Sequence, residues 1–246
     1  MRILSYNIRR GGAGREAPLA SVIRSVNPDV VVLEEATRPE VVERLGRETG
    51  MRQWGARAGK SLAFMSRQEV ASYAAHRPAI SRHAFLEVVP ATTSWRVFGV
   101  HLSAVHAAWT ERRRLMELRA LLRMIATHQT GPHILIGDFN TVAPGDMFDA
   151  RRLPRRLRAL VWLSGGHIRW RTIATVLAAG YVDSFRQLHP DDLGYTLPTP
   201  EPHVRLDYAF VPGAFAQHVR SCEIVRTPDV AKASDHFPLL LDVREP

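Results

Sequence analysis

Short apolar runs alternate with amphipathic stretches along the whole of this 246-residue chain. Residues 2–8 read as a strand, and so do residues 29–33, a run of Val and Leu after Asn27-Pro28. A run without polar alternation is expected of a strand covered on both faces. Residues 17–26 fit a short helix, and 39–49 a more polar one that opens on Pro39. Residues 61–66, 83–89 and 96–102 then read as consecutive strands, with a Pro-containing turn between the last two. The clearest helical spacing lies over 110–128, where Leu115, Leu118, Leu122 and Ile125 share a face. Thr110 suits its cap and Glu111 its N-terminal dipole, while Arg112, Arg113, Arg119 and Arg123 fall elsewhere, as on a helix covering a sheet. Gly131-Pro132 stops that helix, and strands follow at 133–136, 204–211, 219–225 and 238–243.

The stretch from 149 to 179 differs in character. It holds Arg151, Arg152, Arg155, Arg156 and Arg158, then Trp162, a Gly165-Gly166 break and Arg169-Trp170-Arg171. With no internal repeat, low-complexity tract or linker in view, residues 1–246 are expected to form one α/β domain carrying 149–179 as a basic, Arg/Trp-rich insertion.

Charge adds a constraint. The chain has 33 basic and 24 acidic residues, a formal net charge of +9, and its only lysines are Lys60 and Lys232. Guanidinium groups suit phosphate because they offer a planar fork, but codons rich in G and C also favour Arg over Lys. The positive excess itself favours an anionic substrate or surface. The single cysteine, Cys222, has no partner for an internal disulfide. No run approaches the ~18 apolar residues of a membrane span, and the N-terminus lacks the pattern of a signal peptide. A cytoplasmic location is the simplest expectation.

Polar residues gather where the apolar runs stop. Asn7 closes the first, Glu34-Glu35 the second, and His101 lies near the end of its own. Asp138 and Asn140 follow His-Ile-Leu-Ile-Gly, and Asp235-His236 precede the last strand. Sites collect at such strand ends in layered α/β folds. Each residue alone is weak evidence, since Asp, Asn and Gly are ordinary turn formers. Asp207 carries more weight, because a carboxylate inside an apolar run such as 204–211 needs a partner or a purpose.

Taken in order, five elements resemble the endonuclease/exonuclease/phosphatase superfamily over nearly the whole chain. They are Ser5-Tyr6-Asn7-Ile8, Leu33-Glu34-Glu35, Gly137-Asp138-Phe139-Asn140, Arg205-Leu206-Asp207-Tyr208 and Ser234-Asp235-His236-Phe237-Pro238. The resemblance implies a four-layered α/β sandwich: two packed, mostly antiparallel β-sheets flanked by helices. It also implies a metal-dependent phosphoesterase using Mg²⁺, with Mn²⁺ as a substitute. Glu35 would be the principal metal ligand, with Asn7 and Asp235 contributing directly or through water. Glu34 stands where the family commonly carries Gln; it either adds charge to the site or points away from it.

By the same resemblance the catalytic set is His101, Asp138, Asn140, Asp207 and His236. Asp207 would orient and charge the His236 imidazole, and Asp138 with Asn140 would position the nucleophile. His101 matches a histidine of the deoxyribonuclease I-like, phosphatase and sphingomyelinase branches, although a buried structural histidine is the plainer alternative. Abasic-site endonucleases carry a Tyr in a Pro-Asn-containing motif where His101 and Ser103 stand here, which makes repair at abasic sites a poorer fit.

Two substrate classes remain open on the sequence. A nuclease acting on DNA or RNA would use the positive charge, with Arg205, Arg169 and Trp170 as candidate substrate contacts. A phosphatase or phospholipase C-like hydrolase would instead act on phospholipid head groups or small phosphoesters, with the basic, aromatic segment as a flap against an anionic membrane surface. A catalytically inactive binding module is the remaining alternative. No obligate protein partner is evident.

Overall fold

The computed structural model describes residues 1–78, 84–104, 108–128, 131–152, 155–163 and 170–246. Its first half begins with β1 (Arg2–Asn7), α1 (Glu16–Val26), β2 (Val30–Glu34), α2 (Pro39–Thr49), β3 (Gln53–Gly55) and β4 (Ala63–Ser66). Strands β5 (Val70–His76), β6 (Phe85–Pro90) and β7 (Arg96–His101), helix α3 (Ala108–His128) and β8 (His133–Asp138) follow. The chain continues through α4 (Arg155–Leu163), α5 (Arg171–Ala178), β9 (Tyr181–Asp183), α6 (Ser184–Leu188) and β10 (Asp207–Pro212). It ends with β11 (Val219–Ile224), α7 (Val230–Ala233) and β12 (Leu239–Val243).

The strands form two six-stranded sheets, ordered β11-β12-β1-β2-β4-β3 and β5-β6-β7-β8-β10-β9. Only β1–β2 and β7–β8 pair in parallel; the other neighbours are antiparallel. Three apolar layers hold the sheets and helices together. Ile3, Val30 and Val32 of the first sheet meet Val88, Val97, Ile134, Ile136 and Ala209 of the second, which forms the central layer. Helices α1 and α2 lay Leu19, Ile23, Val42 and Leu45 on the outer face of the first sheet. Helices α3 and α5 lay Leu118, Leu121, Ile125, Ile173 and Val176 on the outer face of the second. The result is the four-layered α/β sandwich that the motif order implied.

Several elements differ from expectation. Helix α3 starts at Ala108, so Thr110 sits inside it rather than capping it. Glu111 is not a solvated dipole partner: it is 2% exposed and bonded to Arg114. On that helix Leu121 is buried, whereas Leu115 and Leu122 are only half-buried. The run over 204–211 is strand only from Asp207 onward, with Val204 in an isolated bridge to Leu197. Strands β3 and β5 carry no apolar alternation and were not anticipated. The segment from 149 holds a 3₁₀ turn at Ala150–Arg152 and then α4 and α5, while Gly165, Gly166, Arg169 and the start of the 83–89 run lie outside the described residues. No helix of the described residues is long and apolar enough to cross a membrane.

Candidate functional site

Register alone brings the candidate residues together. In the first sheet Asn7 lies opposite Glu34; in the second, Asp138 lies between His101 of β7 and Asp207 of β10. Two sheets that end at one level therefore place these five strand-terminal residues at the same edge. Gly137 makes the close approach of β7 and β8 workable. Its φ is +148°, and a Cβ there would fall 1.9 Å from the Val100 carbonyl oxygen.

Asp138 is the centre of the group and is 1% exposed. One carboxylate oxygen, Oδ2, accepts from Asn7 Nδ2 at 3.1 Å and lies 3.9 Å from His101 Nε2 and 4.0 Å from His236 Nε2. The other, Oδ1, accepts the Asn140 N–H at 2.8 Å. Burial, reinforced by the Asp207 charge, pushes the Asp138 carboxyl up to about 7. Asn140 has a left-handed φ of 52° and donates from Nδ2 to the Leu102 carbonyl at 3.0 Å, which ties its loop to the end of β7.

His236 presents Nδ1 to Asp207 Oδ2 at 3.0 Å, and both side chains are buried. Burial alone would depress the imidazole. The carboxylates of Asp207, Asp138 and Asp235 outweigh it and raise His236 to about 10. The ring is thus held as a cation between two buried acids. Ser234 fixes the turn that carries it, donating to the Asn7 carbonyl at 2.6 Å while receiving the His236 N–H at 3.3 Å.

His101 is 8% exposed, and its Nδ1 is hydrogen-bonded to Ser61 Oγ. Ser61 Oγ also accepts the Glu35 N–H at 3.2 Å, so one hydroxyl links the two candidates. Glu35 lies beyond the end of β2 with a left-handed φ of 54°. Its carboxylate is half-buried, accepts the Arg10 N–H at 2.6 Å, and stands 3.4 Å from Asn7 Nδ2. Asp235, also half-buried, pairs with Arg9 Nε at 3.1 Å.

Glu34 resolves differently from either expectation. Its side chain is fully buried, with Oε1 accepting from Ser5 Oγ at 2.9 Å. Burial and the neighbouring Asp207 and Asp138 charges push it well above the usual carboxylate range, so it sits in the interior as a neutral acid.

Arg205 is a correction. Only 2% exposed, it is held by Asp146 at 3.0 and 3.1 Å and by Asp183 at 2.7 Å, with its guanidinium 4.5 Å from the Tyr208 ring centre. It braces the loop before β10 from the interior, with its guanidinium engaged by two carboxylates. Trp170 is exposed at the head of α5, and Arg169 falls outside the described residues.

The sequence reading also missed the support behind the site. Arg114 of α3 is 1% exposed and donates to the Ser103 carbonyl at 2.8 Å, just after His101-Leu102. Its partner Glu111 accepts from Thr172 N and Oγ1 at 2.9 and 3.0 Å, which caps α5. The i, i+3 spacing of these two charges was the available signal.

A cation fits the donor set. Beside the buried carboxylates of Asp138 and Asp207, the half-buried Glu35 carboxylate meets the Asn7 amide at 3.4 Å. Glu35, Asp235 and the Asn7 amide add the hard oxygens that Mg²⁺ prefers. Ligand atoms of Asp138, Asp207 and His236 lie within 4.8 Å of one another and form a second arrangement. It is the less suitable for Mg²⁺, because one of its three ligands is an imidazole nitrogen and Mg²⁺ prefers oxygen.

Residues 4–236 match one protein family from the first strand to the last site histidine. The chain belongs to the Endonuclease/Exonuclease/phosphatase family. Among solved structures, an AP endonuclease from Archaeoglobus fulgidus superposes with a TM-score of 0.78 at 17% identity, covering 99% of both chains. The 3′ phosphatase NExo from Neisseria, bound to a product DNA hairpin, gives a TM-score of 0.72 at 20% identity with the same coverage. A 3′-5′ exonuclease from Neisseria meningitidis gives 0.71 at 19%, again over 99% of both chains. At these identities the likeness speaks for the fold, and the family's sandwich is the fold described above. No curated protein matches the chain significantly.

Proposed function

We propose that the protein is a divalent-metal-dependent phosphodiesterase whose substrate is nucleic acid. The observation that carries this reading is Asp138, buried and facing the Nε2 atoms of His101 and His236 at 3.9 and 4.0 Å. Two imidazoles on one carboxylate, one of them held charged by Asp207, suit an anionic phosphate and its proton transfers. The net charge of +9 favours a polyanion over a neutral ester.

Glu35, Asn7 and Asp235 are the residues that would hold the metal, Mg²⁺ or in substitution Mn²⁺. Bound there, it would neutralise phosphate charge and lower the pKa of a water. Within the chain, His236 donates hydrogen bonds toward a phosphate oxygen while Asp207 keeps it oriented. Asp138 accepts a proton from the attacking water, a role suited to a carboxyl near neutrality. Asn140 anchors Asp138 through its backbone N–H, and His101, steadied by Ser61, faces the leaving oxygen.

A phospholipid or small-phosphoester reading keeps one observation of its own. Trp162 and Leu163 stand 74% and 67% exposed on α4, which also carries Arg155 and Arg158. A substrate panel of single- and double-stranded DNA, RNA, phosphatidylinositols, sphingomyelin and simple monoesters, each with Mg²⁺, Mn²⁺ or EDTA, separates the two. Hydrolysis of lipid but not of nucleic acid refutes the nuclease reading. Within an active protein, Glu35→Ala weakens metal dependence, whereas His236→Ala abolishes turnover and keeps metal binding. Equal loss of metal affinity in both contradicts the assigned roles.

A further inference from the structure

A cleft of about 710 Å³ opens beside Glu35 and His101, outside the cluster centred on Asp138. Its character is mixed in a particular way. Four exposed cations surround it: Arg10 after β1, Arg57 and Lys60 between β3 and β4, and Arg77 after β5. Its inner wall is apolar, formed by Leu62, Phe85 and Leu86. Tyr73 stands on the edge strand β5 with 54% of its surface exposed.

That ring has fixed backing. Phe64 lies 4.8 Å behind it between ring centres. Gly55 permits the contact, since a Cβ there would fall 2.5 Å from Phe64 Cε1 and 3.0 Å from Tyr73 Cε2. A backed, half-exposed ring beside cations is a stacking platform of the kind that receives bases of a single strand. The link to the chemistry is short. Ser61 lines the cleft, bonds His101 Nδ1 and receives the Glu35 N–H, so an occupant lies against both candidate site residues.

We propose that this cleft is a substrate subsite for an unpaired nucleotide adjoining the scissile phosphate, with its base on Tyr73 and its phosphate between Arg57 and Lys60. The proposal rests on the nucleic-acid reading above and narrows it to single-stranded or frayed ends. A sugar or inositol head group has hydroxyls on all sides and gains little from the apolar wall. A paired base has its edge and both faces already engaged. An unpaired nucleotide brings a planar apolar face and an anionic phosphate together, and the cleft lies within the usual ligand-pocket range of ~300–1,000 Å³.

The test compares wild type, Tyr73→Ala, Tyr73→Phe and Arg57→Ala/Lys60→Ala. The probes are a single-stranded oligonucleotide bearing 2-aminopurine, its duplex, and bis(p-nitrophenyl) phosphate as a diester without neighbouring nucleotides. Binding is read by 2-aminopurine quenching in EDTA, and turnover with Mg²⁺ by KM and kcat. Tyr73→Ala raises Kd and KM for the strand by about tenfold more than for the small diester or the duplex, and Tyr73→Phe restores them. The double variant lowers the salt dependence of strand binding by roughly 0.7 in log–log slope, as expected when one phosphate is no longer neutralised. Equal losses on strand, duplex and small diester overturn the subsite, as does an unchanged strand KM in an enzyme that cleaves the strand. A wild type that neither binds nor cleaves nucleic acid refutes the underlying nuclease reading as well as the subsite.

Discussion

Replacing Gly137 with alanine tests whether the site depends on the close approach of β7 and β8. Gly137 pairs with Val100 on one side and Tyr208 on the other, inside the sheet. The added Cβ would meet Val100 at its carbonyl O, C and N, at 1.9, 2.8 and 2.9 Å, where ordinary contact begins at 3.4 Å. All three atoms are backbone, so no rotamer change relieves the clash and the strands must separate by more than an ångström. The φ of +148° adds a conformation open essentially to glycine alone, at about 1–3 kcal/mol. Forced displacement in a packed layer adds about 1–3 kcal/mol. The combined cost of roughly 2–6 kcal/mol is a large part of ordinary domain stability. Gly145→Ala is the control: its φ is +83° with nothing within 4 Å, so it bears only the backbone cost of about 1–2 kcal/mol. Urea unfolding of both variants measures the difference. Turnover of folded Gly137→Ala should also fall, because His101 and Asp138 sit on the two strands driven apart. Equal destabilisation by the two substitutions, with activity retained, refutes the close-approach argument.

Three further predictions concern buried charge. Arg114→Met leaves the Glu111 charge buried without its cation and should cost about 3–5 kcal/mol, part of which Arg114→Met/Glu111→Gln recovers; a loss below about 1 kcal/mol in the single variant would show that the pair carries no weight. Glu34 has a folded pKa above its unfolded value, so the folded state binds the extra proton and stability declines as pH rises from about 4.5. In EDTA, Glu34→Gln should therefore reduce that decline and remain near wild-type stability at neutral pH, with Asp138 and, above about 6.5, His236 supplying the remaining slope; an unaltered slope by urea titration contradicts a neutral Glu34. His133 is shifted the other way: burial lowers its pKa, and the neutral ring bridges the Gly131 carbonyl at 2.8 Å and the Tyr181 hydroxyl at 2.7 Å. Its contribution is present above about 6.5 and lost as pH falls through the lowered value, so wild type should lose more Tm than His133→Gln between pH 7.5 and 5.5.

What the sequence disclosed, and what it withheld, follows from the range of the forces involved. Strands β1, β2 and β8 and helices α1 and α2 were legible because each has its own periodicity or apolar run. Strand β5 was not, because an edge strand such as Val-Ala-Ser-Tyr-Ala-Ala-His covers little and need not alternate. Asn7, His101 and Asp138 could be picked out as polar residues closing apolar runs. Their convergence on Asp138 could not, because it depends on register, and a period of two fixes which face a residue takes but not which residue lies opposite. The same limit explains Arg205 and Glu111. Arg205 stood inside a family-like motif, yet its fate was decided by Asp146 and Asp183, remote in sequence. Glu111 was placed on the helix dipole, whereas Arg114 and Thr172 draw it into the interior. Glu34 and Glu35 show where alternation itself fails. The strand ends between them, and the left-handed backbone at Glu35 turns its carboxylate to the Arg10 N–H while Glu34 stays within. One dihedral angle thus separates an interior acid from a candidate metal ligand in adjacent positions, and no pattern of residue types contains it.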